Sequence, residues 1–159
     1  MKVSFPGGKR VDAEYHGFTI RTDQPPKAGG EGLAPQPFDL FLASIATCAG
    51  IYVKGYCDTR RIATDGLELR MDVERDGKTH RVARLAIEIV LPAGFPAKHR
   101  DAVVRAAELC SVKKHIFAPP AFEVRARLTP GADDAAAGGE DRAPSTDPSA
   151  IGSEAASPR

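Results

Sequence analysis

Residues 37–53 read Pro37-Phe38-Asp39-Leu40-Phe41-Leu42-Ala43-Ser44-Ile45-Ala46-Thr47-Cys48-Ala49-Gly50-Ile51-Tyr52-Val53. Beyond Asp39, aliphatic and aromatic residues follow one another with only small or mildly polar side chains between them. Pro37 suits a first helical position, where its missing backbone donor costs nothing. The stretch predicts a helix from Pro37 to about Cys57. A helix apolar on nearly every side should be buried on most of them. One small domain has few elements with which to cover it, so this reading asks for a second subunit.

Outward from the helix the patterns change. On the N-terminal side, Pro6-Gly7-Gly8 and His16-Gly17 are turn signals between Val3-Ser4-Phe5, Val11 to Tyr15 and Phe18 to Arg21, which predicts a three-stranded meander. The run Pro25-Pro26-Lys27-Ala28-Gly29-Gly30-Glu31-Gly32 disfavours helix and strand alike and predicts a loop that can bear function. On the C-terminal side, Leu67, Leu69, Met71 and Val73 alternate with charged residues, and Leu85, Ile87, Ile89 and Leu91 repeat the period beyond Asp76-Gly77. These are the strands of an antiparallel hairpin. Residues Pro96 to Leu109 predict an amphipathic helix, Val112 to Phe117 a short one starting at Cys110-Ser111, and Phe122, Val124, Ala126 and Leu128 a final strand. The order is that of an α+β domain, with antiparallel sheets packed on a long buried central helix and a second helix.

The folded domain is expected over residues 1–130. Residues 131–159 are dominated by Ala, Gly, Asp, Ser, Pro and Glu, and predict a disordered low-complexity tail. Lys and Arg number 22 against 21 Asp and Glu, a net charge of +1 in 159 residues. No overall field draws such a chain to nucleic acid or an anionic membrane. On this reading no stretch approaches the roughly 18 apolar residues of a membrane span, and the start turns polar too early for a signal peptide, so the expectation is a cytoplasmic protein.

Three cysteines without a signal peptide do not make a disulfide framework. Cys48, Cys57 and Cys110 also lack the paired spacing of a zinc site, and none of His16, His80, His99 and His115 stands in such a motif. The expectation is therefore no metal site, which leaves buried structural thiols or redox chemistry. A lone cysteine in an apolar helix is most often a small buried hydrophobe. Around Cys48, however, Ser44, Thr47, Ala49 and Gly50 are small enough to let another element approach the sulfur. Cys110 stands where a helix begins, ahead of Lys113 and Lys114, and unpaired amides and the helix dipole stabilise a thiolate there. The other reading makes Cys110 a cap and the lysines solvated charges. Cys57 lies nine residues after Cys48, about half a turn round and about 13 Å along an ideal helix. A disulfide needs Cα atoms within about 7 Å, so an intact helix keeps the two apart. Cys57 is read as structural, and any partner of Cys48 within the chain would have to be Cys110.

The segment from Pro37 to Cys48 closely resembles the helix motif of the OsmC/Ohr family, the osmotically inducible and organic-hydroperoxide-resistance proteins. Ala107-Glu108-Leu109-Cys110-Ser111-Val112-Lys113-Lys114 resembles the family's second cysteine segment, with Ser111 where a proline is often found. The resemblance covers residues 1 to 130. It implies an intertwined homodimer and a thiol-dependent peroxidase for oxidative stress defence, acting on organic hydroperoxides with no metal or bound organic cofactor. Cys48 would become a sulfenic acid, Cys110 would condense with it, and a dithiol such as dihydrolipoyl protein would reduce the disulfide.

The resemblance also implies an arginine near the thiolate, held by a glutamate. Arg21 is the candidate for the first, with Arg10 next. The glutamate position carries Phe38, with Asp39 one place later. Asp39 faces away from Cys48 on a straight helix and reaches it only through a bend or from a second subunit; otherwise it compensates the helix dipole. Two other functions remain open on the sequence. One is a non-catalytic small-ligand-binding or stress-related dimer that keeps the cysteines as packing residues, and the other a thiol-disulfide oxidoreductase acting on proteins.

Overall fold

A computed structural model describes residues 1–128. The predicted tail lies outside them. The chain divides into a unit over Met1–Ala121 and a second beginning at Phe122.

The first unit opens with a meander of β1 (Lys2–Gly7), β2 (Arg10–Tyr15) and β3 (Phe18–Thr22), antiparallel in the order β1-β2-β3. The β2–β3 turn is made by His16 at φ 47° and Gly17 at φ 81°. Two consecutive positive φ angles match the twist of a two-residue hairpin, and glycine adopts the second without strain. A loop then leads to α1 (Pro37–Thr59). Gln36 precedes its first turn, and Pro37 takes the early position that its sequence predicts.

The predicted hairpin is β4 (Glu68–Arg75) and β5 (Val82–Val90), in a register that sets Leu69 against Ile89, Met71 against Ile87 and Val73 against Leu85. All six therefore share one face. Residues 96–109 do not form one continuous helix: a 3₁₀ turn over Ala97–His99 precedes α2 (Arg100–Glu108). A short helix, α3 (Ser111–Phe117), follows with Cys110 at its N-cap, so the interruption predicted at Cys110-Ser111 is the α2–α3 junction.

The core lies between α1, α2 and the hairpin. Val53, Cys57 and Val103 are fully buried, with Tyr56, Ile62, Leu67, Ile89, Leu91, Phe95 and Ala107 packed round them. Burying a valine side chain stabilises the fold by about 1.5–3 kcal/mol. The buried residues of α1 are Ile45, Ala49, Val53 and Cys57, each four residues after the last along one stripe.

Three expectations need correction. First, in the single chain α1 buries that one stripe rather than most of its circumference, and Ile51 is 70% exposed. Second, α1 is long and apolar enough, by length and composition, to cross a membrane. Asp39, Lys54 and Asp58 are its only charged residues, and Ala, Gly, Ser and Thr do little to break the apolar run. A core helix can meet the same criterion, and here α1 packs on Val103 of α2. Third, residues 122–128 form no strand. Phe122, Val124 and Leu128 are 85%, 96% and 93% exposed. Alternation supplies a strand's side-chain pattern but not the neighbour whose backbone must complete the ladder.

Candidate active site

Cys48 and Cys110 are brought together by the packing of α3 on α1. Ile45, Cys48 and Tyr52 lie three and four residues apart, so they form one ridge along α1. Along that ridge, the Cys110 thiol donates to the Ile45 carbonyl at 3.8 Å. The Cys48 sulfur meets the backbone N–H groups of Val112 and Ser111 and the Cys110 thiol. The Tyr52 hydroxyl bonds the Ser111 hydroxyl at 2.7 Å. Cys110 is buried, 1% exposed, and Cys48 half-buried. Both are free thiols, as is Cys57.

These contacts set the electrostatics of the pair. The Cys48 thiol is held below its ordinary pKa of 9.0, first by the N–H of Val112; burial opposes this, and the Cys110 thiol and the N–H of Ser111 reinforce it. Amides aimed at a sulfur favour its anion because they donate to the charged form. The sequence places the helix start at Cys110. In the structure the first-turn amides of α3 also serve Cys48, while the Cys110 sulfur caps the helix by accepting from the Lys113 N–H at 3.5 Å. Cys57 is the opposite case. Wholly buried among Val53 and Val103, its thiol is pushed up, first by burial and then by the Asp58 charge.

The other candidates lie elsewhere. Arg21 is exposed on β3, opposite Asp12 in the ladder. None of the groups that shift Cys48 is basic. Arg10 donates to the Pro6 carbonyl at 3.3 Å, beside the first turn of the meander. Asp39 occupies the third position of α1 and accepts from the Gln36 backbone N–H at 3.2 Å, the reciprocal half of a capping box. Its carboxylate is thus engaged in capping α1. Phe38 stacks near Phe41, ring centroids 5.4 Å apart, and the Arg75 guanidinium lies 5.4 Å over the Phe38 ring. Among the described residues no cluster of His, Cys, Asp and Glu has the arrangement of a metal site.

Three features were not anticipated. In the sequence Tyr52 is only one more member of an apolar helix, and nothing there ties it to Ser111. Asp23 is 1% exposed and accepts from the backbone N–H groups of Gln24, Glu31 and Leu33 at 2.7, 3.2 and 3.1 Å. It ties down the Pro/Gly-rich loop, and its carboxyl is held below the usual value, first by the Leu33 amide. At Gly30 a Cβ would stand 1.9 Å from the Gln24 carbonyl oxygen, so only glycine fits there. The proximity of Asp23 to a Gly-rich run was the one available sign. The third feature is an open groove of about 1090 Å³, whose walls include Phe38, Phe41, Ile45, Arg75, Cys110 and Lys113; Cys48 is not among its lining residues.

Fold and site together define an α+β protein with a dithiol centre between a long helix and the start of a short one. The family model described as OsmC-like protein matches residues 29–125, and the chain belongs to that family. Among solved structures, the chain is similar to a Psychrobacter arcticus 273-4 protein described as an osmotic stress induced and detoxification response protein. The identity is 25% and the TM-score 0.62, over 71% of this chain and 84% of that one. A Legionella pneumophila protein described as an organic hydroperoxide resistance protein OsmC is 21% identical, with a TM-score of 0.49 over 72% of this chain and 85% of that one. No curated protein sequence matches the chain.

Proposed function

We propose that the protein is a stress-related thiol peroxidase in which Cys48 attacks organic hydroperoxides and Cys110 resolves the product. The observation that carries this reading is the Cys48 sulfur seated against the Val112 and Ser111 amides and the Cys110 thiol. Membership of the OsmC-like family and the detoxification description of the Psychrobacter relative support it.

The chemistry balances without a metal or an organic cofactor. The Cys48 thiolate attacks the terminal peroxide oxygen, the O–O bond breaks, and the alkoxide leaves and takes a proton as an alcohol. Sulfur is oxidised by two electrons to the sulfenic acid. The Cys110 thiol then displaces water from that sulfenic acid and forms the disulfide. An external dithiol, such as a dihydrolipoyl protein, reduces the disulfide by exchange and is itself oxidised.

A homodimer is part of the proposal. It is supported by the exposed apolar side chains of α1 and of the meander, Ile51 at 70% and Phe5 and Phe18 at 79% and 74%. A cationic role for Arg21 belongs to that assembly, since the single chain does not carry Arg21 to the sulfur.

Treatment with stoichiometric cumene hydroperoxide should yield a Cys48–Cys110 disulfide and leave Cys57 a free thiol in peptide mass spectrometry. Both active-site thiols remaining open to alkylation would overturn the peroxidase reading. The groove favours a second reading, a small-ligand-binding protein, because Arg75 and Lys113 stand among its apolar walls. Under that reading Cys48→Ser leaves ligand affinity unchanged, whereas under the first it abolishes turnover.

A further inference from the structure

The α3 helix has seven residues, none of them buried, and Phe117 at its end is 80% exposed. So short a helix does not hold its position through its own hydrogen bonds. It needs to be tied to α1, and two contacts of the Cys110–Ser111 segment do so. One is the Cys110 thiol on the Ile45 carbonyl at 3.8 Å. The other is the Tyr52 hydroxyl on the Ser111 hydroxyl at 2.7 Å.

These two contacts differ in what the reaction does to them. Oxidation of Cys110 consumes the thiol hydrogen that Ile45 accepts. Neither hydroxyl of the other pair takes part in thiol chemistry, so no step of the reaction consumes the group that makes that bond. Tyr52 stands one turn beyond Cys48 on the same ridge of α1, and Ser111 is the neighbour of Cys110. The hydroxyl pair therefore fixes how α3 lies along α1 at the level of the two sulfurs.

We propose that Tyr52 and Ser111 are positioning residues whose hydroxyl-to-hydroxyl bond clamps the Cys110 segment onto α1 and holds it over Cys48. The proposal rests on the reading of Cys48 as the reactive thiol. Loss of the clamp leaves the amides of Ser111 and Val112 free to move off the Cys48 sulfur and moves Cys110 out of reach of a sulfenic acid. The thiolate then forms at higher pH, and the sulfenic acid survives long enough for a second peroxide to oxidise it to the sulfinic acid.

The test uses the full chain in four forms: wild type, Tyr52→Phe, Ser111→Ala and the double variant. Iodoacetamide alkylation of Cys48 is followed by peptide mass spectrometry across pH, and sulfinic acid at Cys48 is measured after excess cumene hydroperoxide. Each single variant is expected to slow alkylation at neutral pH about fivefold, the scale of one net hydrogen bond, and to move the profile to higher pH. The double variant should match either single one, because both remove the same bond. Sulfinic acid should rise in all three. Tyr56→Phe removes the other tyrosine hydroxyl bond of α1, to His99 at 2.8 Å, and should leave both readouts at wild-type values. Variant profiles that overlay the wild type, or single effects that add in the double variant, overturn the clamp and leave the functional reading standing. A wild-type Cys48 that titrates at the ordinary thiol value overturns the functional reading, and the clamp with it.

Discussion

Cys48 and Cys57 share a helix, nine residues apart, and their thiols are shifted in opposite directions. Cys48 is half-buried and faces the polar end of another helix, where amides reward a negative charge. Cys57 is sealed among valines, with no such donor and with Asp58 next to it. Partial burial with directed donors makes a thiolate; full burial without them makes a packing residue. Neither the helix nor the residue type decides which occurs. What the opposing element brings to each face decides it.

The comparison breaks most completely by exchanging roles. Cys48→Ser is expected to reduce hydroperoxide consumption to background, whereas Cys57→Ser keeps turnover, as measured by ferrous-xylenol-orange assay of residual peroxide. Cys110→Ser should stop repeated turnover yet allow one oxidation of Cys48, which trapping with dimedone detects.

The packing half of the contrast predicts a stability effect. Val103→Ala opens a cavity beside Cys57 and should cost about 2–3 kcal/mol in urea unfolding, while Cys57→Ser buries a hydroxyl without a partner and should cost about 1–3 kcal/mol. Neither change should move the alkylation rate of Cys48 in the folded protein.

The smallest effect sharpens the amide argument at a group of ordinary chemistry. Asp23, like Cys48, has its charged form favoured by backbone N–H groups, and its folded pKa lies below the ordinary 3.8. Its contribution is complete above the unfolded value and is lost as pH falls through the folded one. Hydrogen exchange at Gln24, Glu31 and Leu33 should therefore keep its protection down to about pH 3.8 and lose it only on further acidification.

Much of this contrast was legible in the residues themselves. The apolar-rich run after Pro37 specified α1, and the period-two pattern specified β4–β5, because each is a local rule carried by one segment. Helix periodicity likewise separated Cys48 from Cys57. The amides that act on Cys48 were not readable as such, since they come from residues 111 and 112 and reach the sulfur only through tertiary packing. The Tyr52–Ser111 bond was hidden for the same reason, the two residues lying 59 positions apart. The strand pattern at 122–128 misled because a ladder needs a neighbour that its own sequence cannot specify. Asp39 was legible in both its roles, and in the single chain its carboxylate accepts from the Gln36 N–H at the start of α1.

The opposite shifts of the two thiols are measured most directly by the pH dependence of iodoacetamide alkylation at Cys48 and Cys57 in one sample of wild-type protein, resolved by peptide mass spectrometry. Cys48 should reach half its maximal rate below pH 9.0, and Cys57 should react only above that pH or on unfolding. Coincident profiles for the two thiols, or a Cys48 that reacts no earlier than an ordinary thiol, would contradict it.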